Sequence, residues 1–194
     1  MEEFLNNVYN LIINIINSSS IFGPLLACLL IFFESILPVL PLFVFITIIF
    51  ISYGYIIGFI LSYILTILGC FFSFYLCRTF LSNFFNNKIR KIKEFDKLMK
   101  KIDKMQLSSL VLLIAIPFTP AFIVNIAAAF SKISFKKFAI SIILGKIATV
   151  FFWGFIGTSL IESLKNPKIS IAICVMLLIS YLSSKYVTKK LKID

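Results

Sequence analysis

LSSLVLLIAIPFTPAFIVNIAAAF, residues 107–130, is a run of 24 uncharged, mostly apolar residues broken at its middle by Pro117-Phe-Thr-Pro120. A bilayer core about 30 Å thick needs roughly 20 apolar residues in one helix. The run is long enough, but proline removes a backbone donor and clashes with the preceding turn, so a helix stops or kinks there. Each arm is then about a dozen residues, too short to cross. The pattern predicts a re-entrant hairpin that goes in to mid-depth, turns at the prolines and leaves on the side it entered.

Working outward, the same logic recurs in the first half. Residues 21–33 form a short apolar arm, Pro38-Val-Leu-Pro41 breaks it, and residues 42–53 form a second arm. A long segment, residues 55–80, follows and contains Gly69; in the second half residues 138–160 follow and contain Gly145. Each half is a hairpin plus one spanning helix, an odd number of crossings, so the two halves take opposite orientations. Inverted repeats whose broken segments meet at mid-membrane are a recurring transporter architecture. The alternative is that residues 35–53 form a plain spanning helix that begins at a proline-rich turn.

Composition leads to the same class. The chain has 194 residues, 60% of them hydrophobic and 14% charged, with a mean hydropathy of +1.05. Soluble domains are about 45–50% apolar and about 25% charged. Residues 35–77 carry no charge at all, and neither do 105–131 or 169–184. A soluble catalytic domain is excluded, and the fold class is an all-α integral membrane protein. There is no His, which removes the commonest general base and metal ligand. No nucleophile–base set or metal cluster is visible, so neither an enzyme nor a cofactor is expected. Cys28, Cys70, Cys77 and Cys174 all sit in apolar stretches and read as buried, unpaired thiols.

Charge sets the orientation. The first 77 residues contain no Lys or Arg, whereas residues 78–104 hold nine basic and three acidic side chains. The tail adds Lys185, Lys189, Lys190 and Lys192. Cytoplasmic loops are enriched in Lys and Arg, which places the central linker and the C-terminus inside and residues 161–168 outside. Within the linker, Phe85, Ile89, Ile92, Phe95, Met99 and Ile102 recur at helical spacing with the lysines mostly off that stripe. This reads as a basic amphipathic helix on the cytoplasmic surface. Its apolar face should dip into the headgroups and its lysines meet anionic lipid. Nucleic acid is not an expected partner. The layout is an N-terminal interfacial segment (1–20), a membrane domain (21–160) and a C-terminal helix with a basic tail (161–194). The domain divides into a first repeat (21–80), a linker (81–106) and a second repeat (107–160).

Few polar groups lie where charge is expensive. Glu34 is four residues before Pro38; it either sits at the outer interface or faces a water-filled interior. Arg78 ends the first long helix and either snorkels to the headgroups or contacts substrate. Lys146 lies a third of the way along residues 138–160, where snorkelling is harder. Thr119, Asn125 and Thr149 either line a cavity or make ordinary interhelical hydrogen bonds. Each Pro-x-x-Pro tip, Pro38/Pro41 and Pro117/Pro120, exposes helix ends at depth, and helix N-termini attract anions such as phosphate.

At these residues the chain resembles a known family. Glu34-Ser-Ile-Leu-Pro38-Val-Leu-Pro41, Gly69, Tyr75-Leu-Cys-Arg78, Ile116-Pro117-Phe-Thr-Pro120-Ala-Phe-Ile-Val-Asn125 and Leu144-Gly145-Lys146 look like the DedA/VTT-domain superfamily, also called SNARE-associated Golgi proteins. The resemblance covers roughly residues 21–160. It is closer to the branch with Pro-x-x-Pro in both hairpins than to DedA proper, whose arginines flanking the second tip are here Ile114 and Pro120. The resemblance implies facing re-entrant hairpins. It also implies translocation of phospholipid or isoprenoid-phosphate lipid between leaflets. The path residues expected are Glu34, Pro38, Pro41, Arg78, Pro117, Thr119, Pro120, Asn125 and Lys146. The partners expected are membrane lipids, and a homo-oligomer is compatible with the pattern. The alternatives are an ion- or proton-coupled small-solute transporter and a non-transporting assembly factor. The Ile, Lys, Asn and Phe bias points to a bacterial plasma membrane.

Overall fold

The computed structural model describes residues 22–36, 42–80, 93–119, 121–163 and 167–190, and the regular structure among them is all helical, with no strand. The helices are α1 (Phe22–Glu34), α2 (Leu42–Thr79), α3 (Lys93–Lys104), α4 (Leu107–Ala115), α5 (Ala121–Phe130), α6 (Phe135–Ser163) and α7 (Pro167–Lys190). The N-terminal segment, Pro38, Pro41, Pro120 and residues 81–92 of the linker lie outside the described residues.

The expected break at Pro117 is present. Ile116, the residue before the proline, is extended at φ −73° and ψ 119°, as pre-proline sterics require. A turn closed by Thr119 N–H donating to the Ile116 carbonyl at 3.1 Å follows. α4 and α5 are therefore 9 and 10 residues long.

α2 is 38 residues, which as a straight rod would be about 57 Å long. It is not straight. Gly54, at φ 77° and ψ 173°, takes a conformation open essentially only to glycine. The bend is sharp. Residues eight apart in a continuous helix are separated by about 12 Å along its axis, yet a Cβ on Gly58 would lie 2.8 Å from the Cα of Phe50. Residues 42–53 thus fold back across residues 55–79, and the chain breaks where the sequence reading divides the second arm from the long segment.

α2 and residues 135–160 of α6 are long and apolar enough to cross a membrane. Their surfaces are inverted relative to a soluble protein. On α2 the large apolar residues Ile56, Ile60, Ile64, Leu68 and Phe72 point outward, while Gly58, Ser62, Thr66, Gly69 and Ser73 are buried. On α6 Ile143, Ile147, Phe151 and Phe155 are exposed, while Ser141, Lys146 and Thr149 are buried. Each such apolar side chain left in water would forfeit about 1.5–3 kcal/mol. In lipid the outward stripe costs nothing, and small inward residues let helices approach closely.

Two of those small residues are seats. A Cβ on Gly69 would collide with the carbonyl oxygen of Phe32 and crowd Ser35; a Cβ on Gly145 would come 3.0 Å from the carbonyl oxygen of Val111 and 2.7 Å from Ile114. Phe32 and Ser35 precede Pro38 by six and three residues, and Val111 and Ile114 precede Pro117 by the same intervals. α1 packs on α2, α4 on α6, α5 on α2, and α2 on α6, with α7 against α6 and α4.

Two expectations need correction. The apolar face of α3 does not dip into headgroups over its described length. Met99 and Ile102 are buried in a core with Phe74, Cys77, Ala127 and Ala128, and Phe95 and Leu98 pack against it. Protein packing supplies the partner that lipid was expected to supply, and Asp103 fixes the helix by accepting from the Lys132 backbone N–H. The cysteines, all free, are not uniformly buried: Cys70 and Cys77 are, Cys28 is half-buried and Cys174 is exposed on α7.

Candidate functional site

Lys146 is 2% exposed on α6. One helix face carries Ile142, Lys146, Thr149 and Trp153, spaced four, three and four, and all four line a cavity of about 190 Å³. The opposite wall is built from broken segments. Glu34 ends α1, Leu42 and Phe43 begin α2, and Pro117, Phe118 and Thr119 form the break between α4 and α5. Phe122, Val124 and Asn125 on α5 and Ile114 on α4 complete it.

Glu34 is 9% exposed and occupies the C-terminal end of a helix, where the macrodipole already disfavours negative charge. Its Oε2 has no hydrogen-bond partner. Lys146 is the cation that acts on it. The two are not in contact, because the one ion pair among the described residues is Lys100–Asp96 on α3. A carboxyl and an amine therefore line one cavity without forming an ion pair.

Asn125 is 1% exposed. Its Nδ2 donates to the Ser35 carbonyl at 3.5 Å, which leaves Oδ1 without a partner. A carbonyl can only accept, so the amide nitrogen belongs on the Ser35 side and the oxygen is the free atom. Thr149 Oγ1 donates to the Ile114 carbonyl at 2.8 Å, tying the cavity wall of α6 to the last turn of α4. Phe43 and Phe118 flank Trp153 at centroid distances of 5.8 and 5.6 Å, making one side of the cavity aromatic.

Of the residues singled out from the sequence, Glu34, Pro117, Thr119, Asn125 and Lys146 line this cavity together, as does Thr149. Pro38, Pro41 and Pro120 lie outside the described residues. Arg78 is elsewhere. It stacks 5.1 Å over the Phe74 ring and donates to the carbonyls of Ile133 at 2.9 Å and Ser131 at 3.4 Å. It clasps the end of α2 to the α5–α6 connection and does not border the cavity. The aromatic wall was missed by sequence reasoning. Its signal was the chain's single Trp falling in helical phase with Lys146.

Comparison with known proteins gives three findings. A family profile described as the VTT domain matches residues 37–159, and one described as a protein of unknown function (DUF1145) matches residues 140–182. An uncharacterized membrane protein of Bacillus subtilis (strain 168), YhjE, is 33% identical over 165 residues, covering 84% of this chain and 80% of that relative. No solved structure matches.

Proposed function

The chain belongs to the VTT-domain, DedA-like family of membrane proteins, and on that premise we propose that it moves a membrane lipid between leaflets, the headgroup passing through the Glu34–Lys146 cavity. The observation that carries the reading is a buried carboxyl and a buried amine, not joined in an ion pair, on one cavity inside a bundle whose outside is apolar. Ionisable groups inside a membrane bundle are costly and mark pathways. The headgroup travels in the polar interior while the tails stay in hydrocarbon.

The matched seating of Gly69 and Gly145 supports reading residues 21–80 and 107–160 as inverted repeats, each a re-entrant hairpin followed by a spanning helix. The first arm of each hairpin packs on the long helix of its own half. The second arms cross over, residues 42–53 to α6 and α5 to α2. In this reading α7 is a further span, the linker and the basic tail are cytoplasmic, and the membrane is a bacterial plasma membrane. The exposed Lys97, Lys100 and Lys104 of α3 then meet anionic headgroups through their charges alone.

Purified protein in vesicles containing acyl-labelled fluorescent phospholipid and a membrane-impermeant quencher tests the reading. Quenching should run well past the outer-leaflet half. It should fall back to that half in Thr119→Trp, which plugs the cavity from the α4–α5 break. Folded wild-type protein whose quenching stops at the outer-leaflet half would sink the proposal.

A further inference from the structure

A second depression borders the α4–α5 break. It is a groove of about 410 Å³ between the end of α4, the middle of α6 and α7. Small side chains, Ala115 and Ala148, leave the space, and Leu112 and Ile179, both exposed, border it. Ser180 is the only polar side chain among the described residues that line it. Pro117 lines both this groove and the polar cavity. Beside that proline, Phe118 borders the cavity and Phe152 the groove, their rings edge to face with centroids 6.3 Å apart. The two spaces thus share one residue and meet across one pair of rings.

On the outside of a membrane bundle the medium is hydrocarbon. A smooth helix face touches a lipid tail on one side, whereas a groove between three helices touches it on three, and each added contact contributes dispersion attraction. A hollow left empty there would forfeit those contacts. The groove is within the range of about 300–1,000 Å³ that ligand sites occupy. Its lining has almost nothing to pair with an ion, a headgroup or a polar peptide, and it suits a methylene chain. Resting on the translocation reading, we propose that the groove holds an acyl chain of the lipid in transit while the headgroup of the same molecule occupies the polar cavity. A phospholipid is polar at one end and apolar at the other, and so is this pair of contiguous spaces. Pro117 and the Phe118–Phe152 pair then mark where the lipid passes sideways from the bilayer into the protein.

The test places purified full-length protein in vesicles with phosphatidylglycerol, phosphatidylcholine and phosphatidylethanolamine in turn, each carrying a diazirine midway along one tail. Irradiation and mass spectrometry map the labelled residues. Groove residues should be labelled about fivefold or more above the outward stripe of α2 at Ile56, Ile60 and Ile64, which meets lipid on one side alone. Ala148→Trp fills the groove from a residue that does not line the polar cavity. It should abolish that excess and slow lipid movement about fivefold or more, as a tail deprived of its three-sided contact would. Ile147→Trp, exposed on α6 and lining neither space, should change neither readout. The labelling map needs no variant, so it decides the tail site even if Ala148→Trp does not fold. Even labelling of groove and α2 stripe for all three lipids would overturn the tail site and leave translocation standing. An excess in the groove with no lipid moving between leaflets would reject transit and leave a fixed lipid there. Equal slowing by Ala148→Trp and Ile147→Trp would also overturn the proposal. Disulfide-linked dimers of Ala148→Cys, absent from the parent protein, would give the groove to a second copy of the chain.

Discussion

The neighbourhoods of Gly69 and Gly145 are seated alike and charged differently. Each glycine receives the carbonyl six residues before a proline and the side chain three before it. Beside the first seat stand Glu34, four residues before Pro38, and Cys70, which follows the glycine. Beside the second, the corresponding positions are Leu113 and Lys146. Cys70 and Leu113 sit in the apolar core, Cys70 with its Sγ 3.5 Å from Ser35 Oγ, whereas Glu34 and Lys146 line the cavity. The difference teaches that packing and chemistry are separable here. Both regions keep the close helix approach, and each contributes one ionisable group, an acid from one element and a base from another, to a shared space.

The largest effect expected is on the seats themselves. Gly69→Leu meets a backbone carbonyl that cannot step aside and should cost about 3 kcal/mol or more, at the upper end of overpacking penalties. Gly145→Leu meets the Ile114 Cβ at 2.8 Å and the Val111 carbonyl at 3.0 Å, a less severe overlap than the one at Gly69, and should cost about 1–3 kcal/mol. Thermal unfolding in detergent reads both, and equal penalties would break the distinction between a tighter and a looser seat. The charges come next. Glu34→Gln, Lys146→Met and the double variant should form a non-additive cycle with a coupling of about 1 kcal/mol or more. Additive stabilities would mean that the two charges do not sense each other across the cavity. Smallest is Arg78→Ala. It removes two hydrogen bonds to carbonyls from an exposed side chain, should cost about 1 kcal/mol, and should leave lipid movement unchanged because Arg78 does not border the cavity. Loss of movement in a folded Arg78→Ala protein would extend the site beyond it.

What could be read in the sequence followed from local rules. Pro117 stops or kinks a helix by its own chemistry, so the α4–α5 division was visible in advance, and long apolar runs, charge-free in residues 55–77 and broken only by Lys146 in residues 138–160, announced the spanning part of α2 and α6. The grouping of Glu34, Thr119, Asn125 and Lys146 was approached through the expense of polar groups in apolar segments, a cost that each residue carries alone. What stayed hidden depends on partners far away in the chain. The stripe of α3 is amphipathic in either surrounding, and nothing local says that Met99 and Ile102 face Phe74 rather than lipid. Arg78 reads as a snorkelling cation until Ile133 and Ser131 are placed beside it. The aromatic wall was hidden by abundance. With 23 Phe in the chain, Phe118 and Phe43 carry no signal until Trp153 gathers them.

The fold-back at Gly54 has a consequence for how the chain is made. The arm that it creates, residues 42–53, is too short to hold its place in a bilayer unaided. Its Thr47 and Phe50 are covered by Gly157 and Gly154 of α6, about a hundred residues further on. At ribosomal rates of about 5–20 residues per second, that cover arrives on the order of 5–20 seconds after the arm emerges. An arm made early is therefore completed late, and a nascent chain that stops short of α6 holds residues 42–53 against residues 55–79 with their α6-facing side uncovered.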